Sequence, residues 1–322
     1  MKNFKYIPAE SLEKASQKKD DSVLMAGGTD LLGMIKDDLL TPETVINLKS
    51  LKELKNIRYN AGKGLEIGAL ATITELAENS DVQKRFPVLV QTCKEIASPQ
   101  LRNVGTVGGN LCQRPRCWYY RGEFNCLRKG GDTCFAVDGE NKFHCVVGGG
   151  PCYIVHPSDL AVSLLALDAS LEIFSNGKLK TVPIDDFFIL PEQNETKENI
   201  LEPGEIVTKI IVPEIPAGSK CAFIKFKERA SWDFAVVSLG ILLNTNGSTI
   251  KNGRIVFGGV APRPWIDTAL NTKLTGAATD EKNLKSLADS ALLEAEPMSK
   301  NDYKIILVRN LLKQALIDLS KN

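Results

Sequence analysis

A chain of 322 residues is too long for one ordinary hydrophobic core and suggests two domains, or three if one is small. Its 43% hydrophobic and 25% charged residues are the composition of a soluble globular protein. With 40 basic against 39 acidic residues, and no long run of either sign, nucleic acid and anionic membranes are poor candidate partners.

The start, Met1-Lys2-Asn3-Phe4-Lys5-Tyr6, goes straight into an alternating pattern without the apolar core of a signal peptide. No apolar run approaches the roughly 20 residues that span a bilayer. The expected compartment is the cytoplasm, with export on a signal-bearing partner left open. Ser11 caps a short helix, Ser22 to Ala26 reads as a strand, Asp30 to Lys36 has helical spacing, and Thr44 to Leu48 returns to strand, which together make a small α/β unit. Leu65 to Gly68 is a further strand, Thr72-Ile73-Thr74-Glu75 matches a capping box, and a helix runs from about Pro87 to Ala97. Leu171 to Phe174 and Leu179 to Ile184 flank Asn176-Gly177, a strong hairpin signal, and Glu205 to Val212 is the last strand before Pro213, Pro216 and Gly218 mark a boundary. Beyond it the pattern gives two strand pairs, Phe223 to Lys227 with Ala235 to Leu243 and then Ile250 to Val260, with Asn246-Gly247 as the turn. Helical segments from about Asp280 close the chain.

Two glycine-rich loops carry binding chemistry. Ser22-Val23-Leu24-Met25-Ala26-Gly27-Gly28-Thr29-Asp30-Leu31-Leu32 runs from strand through a Gly-Gly turn into a helix, and Asn103-Val104-Gly105-Thr106-Val107-Gly108-Gly109-Asn110 repeats the same chemistry. Glycine lets backbone approach a ligand closely, and successive N–H groups cradle an anion. Either loop alone could be a tight turn; two of them could clamp one diphosphate. Neither fits the Gly-x-Gly-x-x-Gly dinucleotide fingerprint.

Of eight cysteines, Cys93 and Cys221 stand alone and the rest fall between Cys112 and Cys152. In a reducing compartment such a cluster points to metal rather than disulfides. Only Cys112 and Cys117, with four residues between them, have the spacing of a structural-zinc knuckle and no second such pair accompanies them, whereas iron–sulfur clusters tolerate wide spacings, so iron–sulfur is preferred over zinc. Arg114, Arg116, Arg121, Arg128 and Lys129 flank the cysteines and would offset the charge of a thiolate-bound cluster, although any one could be an ordinary solvated cation. Trp118, Tyr119 and Tyr120 read as apolar cover. His156, Ser158 and Asp159 are too close along one segment to form a catalytic triad.

Ala26-Gly27-Gly28-Thr29-Asp30, Thr106-Val107-Gly108-Gly109-Asn110, Ser158-Asp159-Leu160 and Phe226-Lys227-Glu228-Arg229-Ala230-Ser231 together resemble the FAD-binding medium subunit of the xanthine dehydrogenase and aldehyde oxidoreductase (molybdenum hydroxylase) family, over nearly the whole chain. The resemblance implies an α+β fold: a two-lobed FAD-binding domain of the vanillyl-alcohol-oxidase-like (PCMH) type over residues 1–215, with lobes at about 1–55 and 56–215. A small α/β domain of the CO dehydrogenase flavoprotein type follows over 216–322. It implies that Met25, Ala26, Gly27, Gly28, Thr29, Asp30, Leu31, Thr106, Gly108, Gly109 and Asn110 hold the FAD diphosphate, that Asp159 contacts the ribityl or ribose side, and that Lys227 approaches the flavin.

The cysteine segment, an insertion at about 112–155, resembles that of the subset of the family with an extra 4Fe-4S cluster, the aldehyde oxidoreductase FAD subunit and 4-hydroxybenzoyl-CoA reductase beta subunit. By that resemblance Cys117, Cys126, Cys134 and Cys152 are the ligands and Cys112 and Cys145 are buried bystanders; Cys145 against Cys152 is the weakest choice. The implied role is electron transfer between an external carrier and a small 2Fe-2S subunit and large molybdenum-pterin subunit, with no catalytic acid or base on this chain. The competing readings are a self-contained flavin oxidoreductase on the same fold and a zinc-stabilised non-redox interaction protein.

Overall fold

A computed structural model describes residues 1–18 and 20–321, so the last residue of the expected C-terminal helix, Asn322, lies outside the described residues. Strands β1 (Lys5–Pro8), β2 (Ser22–Met25) and β3 (Thr44–Asn47) form a parallel sheet in the order β1-β3-β2. Helices Leu12–Ser16, capped by Ser11, and Leu31–Lys36 make the crossovers that parallel pairing requires.

A five-stranded antiparallel sheet follows. It contains β4 (Ile57–Asn60), β5 (Gly64–Gly68), β6 (Ser170–Ser175), β7 (Lys178–Pro183) and β8 (Ile206–Val212), in the order β4-β5-β8-β6-β7. The β6–β7 hairpin turns at Asn176 and Gly177, whose φ angles of +49° and +77° suit the turn that matches strand twist. Everything between β5 and β6 is carried by this sheet: the capping-box helix Ile73–Glu78, the Pro87–Glu95 helix, the second glycine loop and the cysteine segment.

After β8 the chain crosses to an antiparallel meander, β11-β10-β9, made of β9 (Ser219–Phe226), β10 (Val237–Asn246) and β11 (Thr249–Gly258). Instead of two strand pairs, β10 is shared by both neighbours, because its residues from Val237 to Leu243 are nearly all apolar and buried. Helices Thr268–Leu274, Glu281–Asp289 and Tyr303–Lys321 contribute to the core over this sheet. The first was not legible as a helix; Asp267 makes it by accepting from Leu270 N–H at 2.9 Å while its other oxygen accepts from Leu292 N–H at 2.8 Å. β4 and the Ser80–Arg85 helix were also passed over, each too short to show a period.

The Asp159–Ala166 helix is buried on all sides and joins the halves. It packs against the Pro87–Glu95 helix on one side, where Thr92 and Ser163 hydroxyls meet at 2.6 Å, and against β10 and β11 on the other. There Gly240 and Gly258 leave room: a Cβ on them would stand 2.9 Å from the Val162 carbonyl oxygen and 2.6 Å from a Val162 methyl.

Lys304, fully buried in the last helix, ties the cysteine segment to this half. Its ammonium donates to the carbonyls of Phe143, His144 and Gly259 at 2.8, 3.0 and 2.7 Å. Asn301 adds bonds to the His144 and Cys145 carbonyls. Replacing Lys304 by Met keeps the volume and strands the Phe143 and Gly259 carbonyls, while that of His144 keeps Asn301, so denaturant unfolding should show a loss of about 3 kcal/mol. A loss under about 1 kcal/mol would contradict this role.

Candidate functional site

The first glycine loop begins where β2 ends. Met25 is buried, Ala26-Gly27-Gly28-Thr29 makes the turn, and Asp30 precedes the Leu31–Lys36 helix. Gly28 has φ +75°, in the left-handed region that favours glycine. Gly27 lies on the second loop so closely that a Cβ would stand 2.3 Å from the Val104 carbonyl oxygen and 3.0 Å from Gly105 Cα.

The second loop is braced from below. Thr106 caps the Val107–Leu111 helix by accepting from Gly109 N–H at 3.2 Å, while the Val107 and Gly108 N–H groups donate to Ala71 and Ala69 carbonyls at 2.8 Å each. The Gly108 amide is therefore committed to the sheet edge, and its lack of Cβ serves contact with Ala69, 2.8 Å from where that atom would be. Asn110 accepts from the Ser158 hydroxyl at 2.6 Å, and the same hydroxyl accepts from Ala161 N–H at 3.0 Å. Ser158, not Asp159, is thus the helix cap. With the hydroxyl of Ser158 turned to Asn110, the Ser158 backbone N–H donates to His156 Nδ1 at 3.3 Å.

Two adjoining cavities, of 480 and 440 Å3, run along these loops. Met25, Ala26, Gly27, Gly28, Leu31 and Gly108 line the first, Asn110 and Asp159 the second, and Thr29, Asp30, Thr106 and Gly109 both. Lys227 lines neither. β9 ends at Phe226, and the Lys227 ammonium pairs with Glu95 at 2.6 Å. The lysine in the cleft is Lys225, its side chain 1% exposed, 2.7 Å from the Asp159 carboxylate. Burial pushes the Asp159 pKa up and the Lys225 charge pulls it back. Both lysines fall on one face of an alternating strand, so spacing does not separate them; only the strand end does.

Sequence reasoning also passed over Trp232 and Phe234, which line the cleft from the loop between β9 and β10. Trp232, at φ +52°, donates its N–H to Ala97, itself at φ +47°. Two residues in this strained region, bonded to each other across the cleft mouth, fasten that loop to the N-terminal half.

Beyond Asn110 the cysteine segment has little regular structure. Cys117, Cys126, Cys134 and Cys152 line one small cavity together with Tyr119, Tyr120, Arg128 and His144. Cys145 is buried outside it, its N–H bonded to Tyr153 O at 3.0 Å, and Cys112 lines the 480 Å3 cavity instead. Among the described residues no three or more His, Cys, Asp or Glu side chains gather in the way that holds a single metal ion. Burial pushes the Cys117 thiol up to about 11 and raises Cys152, where Arg128 opposes it. His144 places Nε2 3.3 Å from Cys117 Sγ, and Arg128 donates to Cys152 Sγ at 3.9 Å. Arg128 is in turn held by Glu198, 2.5 Å away and 4% exposed. Trp118 meets Phe143 edge-on at 6.1 Å and Tyr119 meets Phe124 at 4.9 Å, an aromatic cover over this region.

Residues 2–215 match the model of the FAD binding domain in molybdopterin dehydrogenase, and residues 222–319 that of the CO dehydrogenase flavoprotein C-terminal domain. The chain is 35% identical to the aldehyde oxidoreductase FAD-binding subunit PaoB of Escherichia coli, over 99% of this chain and 98% of that one. It is 28% identical to the carbon monoxide dehydrogenase medium chain of Hydrogenophaga pseudoflava, over 97% and 96%. A solved structure of carbon monoxide dehydrogenase from that organism superposes with a TM-score of 0.77, covering 99% of this chain and 97% of the other at 28% identity. No helix among the described residues is long and apolar enough to cross a membrane. Two glycine loops in contact, a cleft closed by the β9–β10 loop and matches that span both domains lead to one conclusion: this chain belongs to the FAD-binding oxidoreductase subunits of the molybdenum hydroxylase family.

Proposed function

We propose that the chain is an electron-transfer subunit that binds FAD along the two glycine loops and a 4Fe-4S cluster on Cys117, Cys126, Cys134 and Cys152. In this reading it works between an external electron carrier and a small 2Fe-2S subunit and large molybdenum-pterin subunit. The observation that carries it is that these four cysteines, and neither Cys112 nor Cys145, line one cavity, and that Cys117 also faces a further cavity opening beside Asp159 and Phe234. Four thiols around one space match the number of thiolates that an iron–sulfur cluster usually takes.

Flavin supplies one- and two-electron chemistry and the cluster one-electron chemistry when bound. The protein's own contribution is placement. Gly27 and Gly28 leave room at the loop junction, Thr29 and Asn110 offer hydrogen-bonding groups, and Lys225 holds the Asp159 carboxylate in the cleft. Arg128 offers an N–H group to the Cys152 sulfur, an interaction that favours thiolate over thiol, and His144 Nε2 faces the Cys117 sulfur.

Replacing Gly28 or Gly109 by Val should leave the fold and cost at least ten-fold in FAD affinity, measured by flavin content and fluorescence titration. At position 28 the branched side chain meets a left-handed φ of +75°; at 109 its Cβ would stand 2.8 Å from Thr106 Oγ1. Native flavin content in both variants would remove the two-loop clamp.

A cysteine series separates ligands from bystanders. Changing Cys117, Cys126, Cys134 or Cys152 to Ala should strip iron or leave a three-iron form, whereas Cys112→Ala and Cys145→Ala should keep native iron at a packing cost of about 1 kcal/mol. Iron loss in Cys145→Ala with retention in Cys152→Ala would overturn the fourth ligand.

A further inference from the structure

Arg116 stands where three parts of the molecule meet. It precedes Cys117 in the cysteine segment, its Nη1 lies 3.0 Å from Asp30 Oδ1 in the first glycine loop, and its guanidinium sits 5.0 Å from the centre of the Phe234 ring in the β9–β10 loop. It lines both the 440 Å3 FAD cavity and the cavity that Cys117 faces. Its fork is fixed by further bonds to the Arg114 carbonyl and, at 3.2 Å, to Gln113 Oε1. Arg121, 2.8 Å from the same Asp30 oxygen, and the Arg114 N–H, 2.7 Å from Oδ2, complete the hold on that carboxylate.

We propose that Arg116 is a positioning residue of the flavin site, by which the cysteine segment holds the first glycine loop and the Phe234 loop in their FAD-binding arrangement. The physical reasons are two. Asp30 lines the cavity that receives a diphosphate, and an anion there faces an uncompensated carboxylate unless cations stay paired with it. A planar guanidinium alone can pair with a carboxylate through its edge and stack on an aromatic ring through its face. The inference rests on FAD occupying the cleft, and it is independent of the identity of the metal centre.

The test is FAD affinity by fluorescence titration of the purified chain, with melting temperature and iron content followed in parallel. Arg116→Ala should weaken FAD at least ten-fold, and Arg116→Lys should recover part of the loss, since it keeps the charge toward Asp30 and loses the fork and the stack. Arg116→Ala and Phe234→Ala should be non-additive in the double variant. FAD affinity within two-fold of native in Arg116→Ala, or additive losses with Phe234→Ala, would overturn the proposal. If the alanine variant does not fold, Arg116→Lys decides: several-fold weaker FAD supports it, and native affinity overturns it. A native chain that binds no FAD at all would instead sink the cleft assignment itself.

Discussion

The arrangement depends on one backbone contact. Gly27 presses against the Val104 carbonyl and Gly105, at a distance that no side chain permits, and this brings the end of β2 against the loop that leads from the five-stranded sheet. The rest follows from it. The parallel three-stranded sheet has a small core of its own around Met25, Ile35 and Val45 and shares another with the five-stranded sheet, where Ile46 and Leu48 cluster with Phe174 and Ile206, and the two loops meet with cavities on either side. The second loop tolerates this because its amides are already paired with Ala69 and Ala71, so it is a rigid wall.

The cysteine segment then acts as more than a holder of thiols. Its arginines reach both ways: Arg116 and Arg121 to Asp30 of the first loop, Arg128 to Glu198 and Cys152. The buried Glu198 is shared with Arg114, so a chain of alternating charges links the sulfur-lined cavity to the 480 Å3 cavity along the glycine loops. On the other side Lys304 and Asn301 fasten the same segment to the C-terminal half through the Phe143, His144 and Cys145 carbonyls. A long irregular segment, with few backbone bonds of its own, is ordered by these attachments.

The sequence made legible what local chemistry determines. Alternation, the Asn176-Gly177 turn and the Thr72–Glu75 capping box located strands and caps that the structure contains. The glycine loops and the six clustered cysteines could be singled out because residue type alone restricts what they do, while the choice of four among the six came from the family resemblance. What stayed hidden depends on where strands end and on contacts distant in sequence. Lys225 and Lys227 differ only by the end of β9 at Phe226, and no pattern announces that Arg116 meets Asp30 or that Trp232 bonds to Ala97. The meander was read as two pairs because a strand's second neighbour leaves no mark in its own period.

The central claim is that this one chain holds two redox groups. Its most direct test is quantitation of flavin, iron and acid-labile sulfide in the separated subunit, prepared without oxygen, together with the low-temperature EPR spectrum of the reduced protein. The account predicts one FAD with about four iron and four sulfide, and a reduced 4Fe-4S signal. Flavin with no iron, or zinc in place of iron and sulfide, would contradict it.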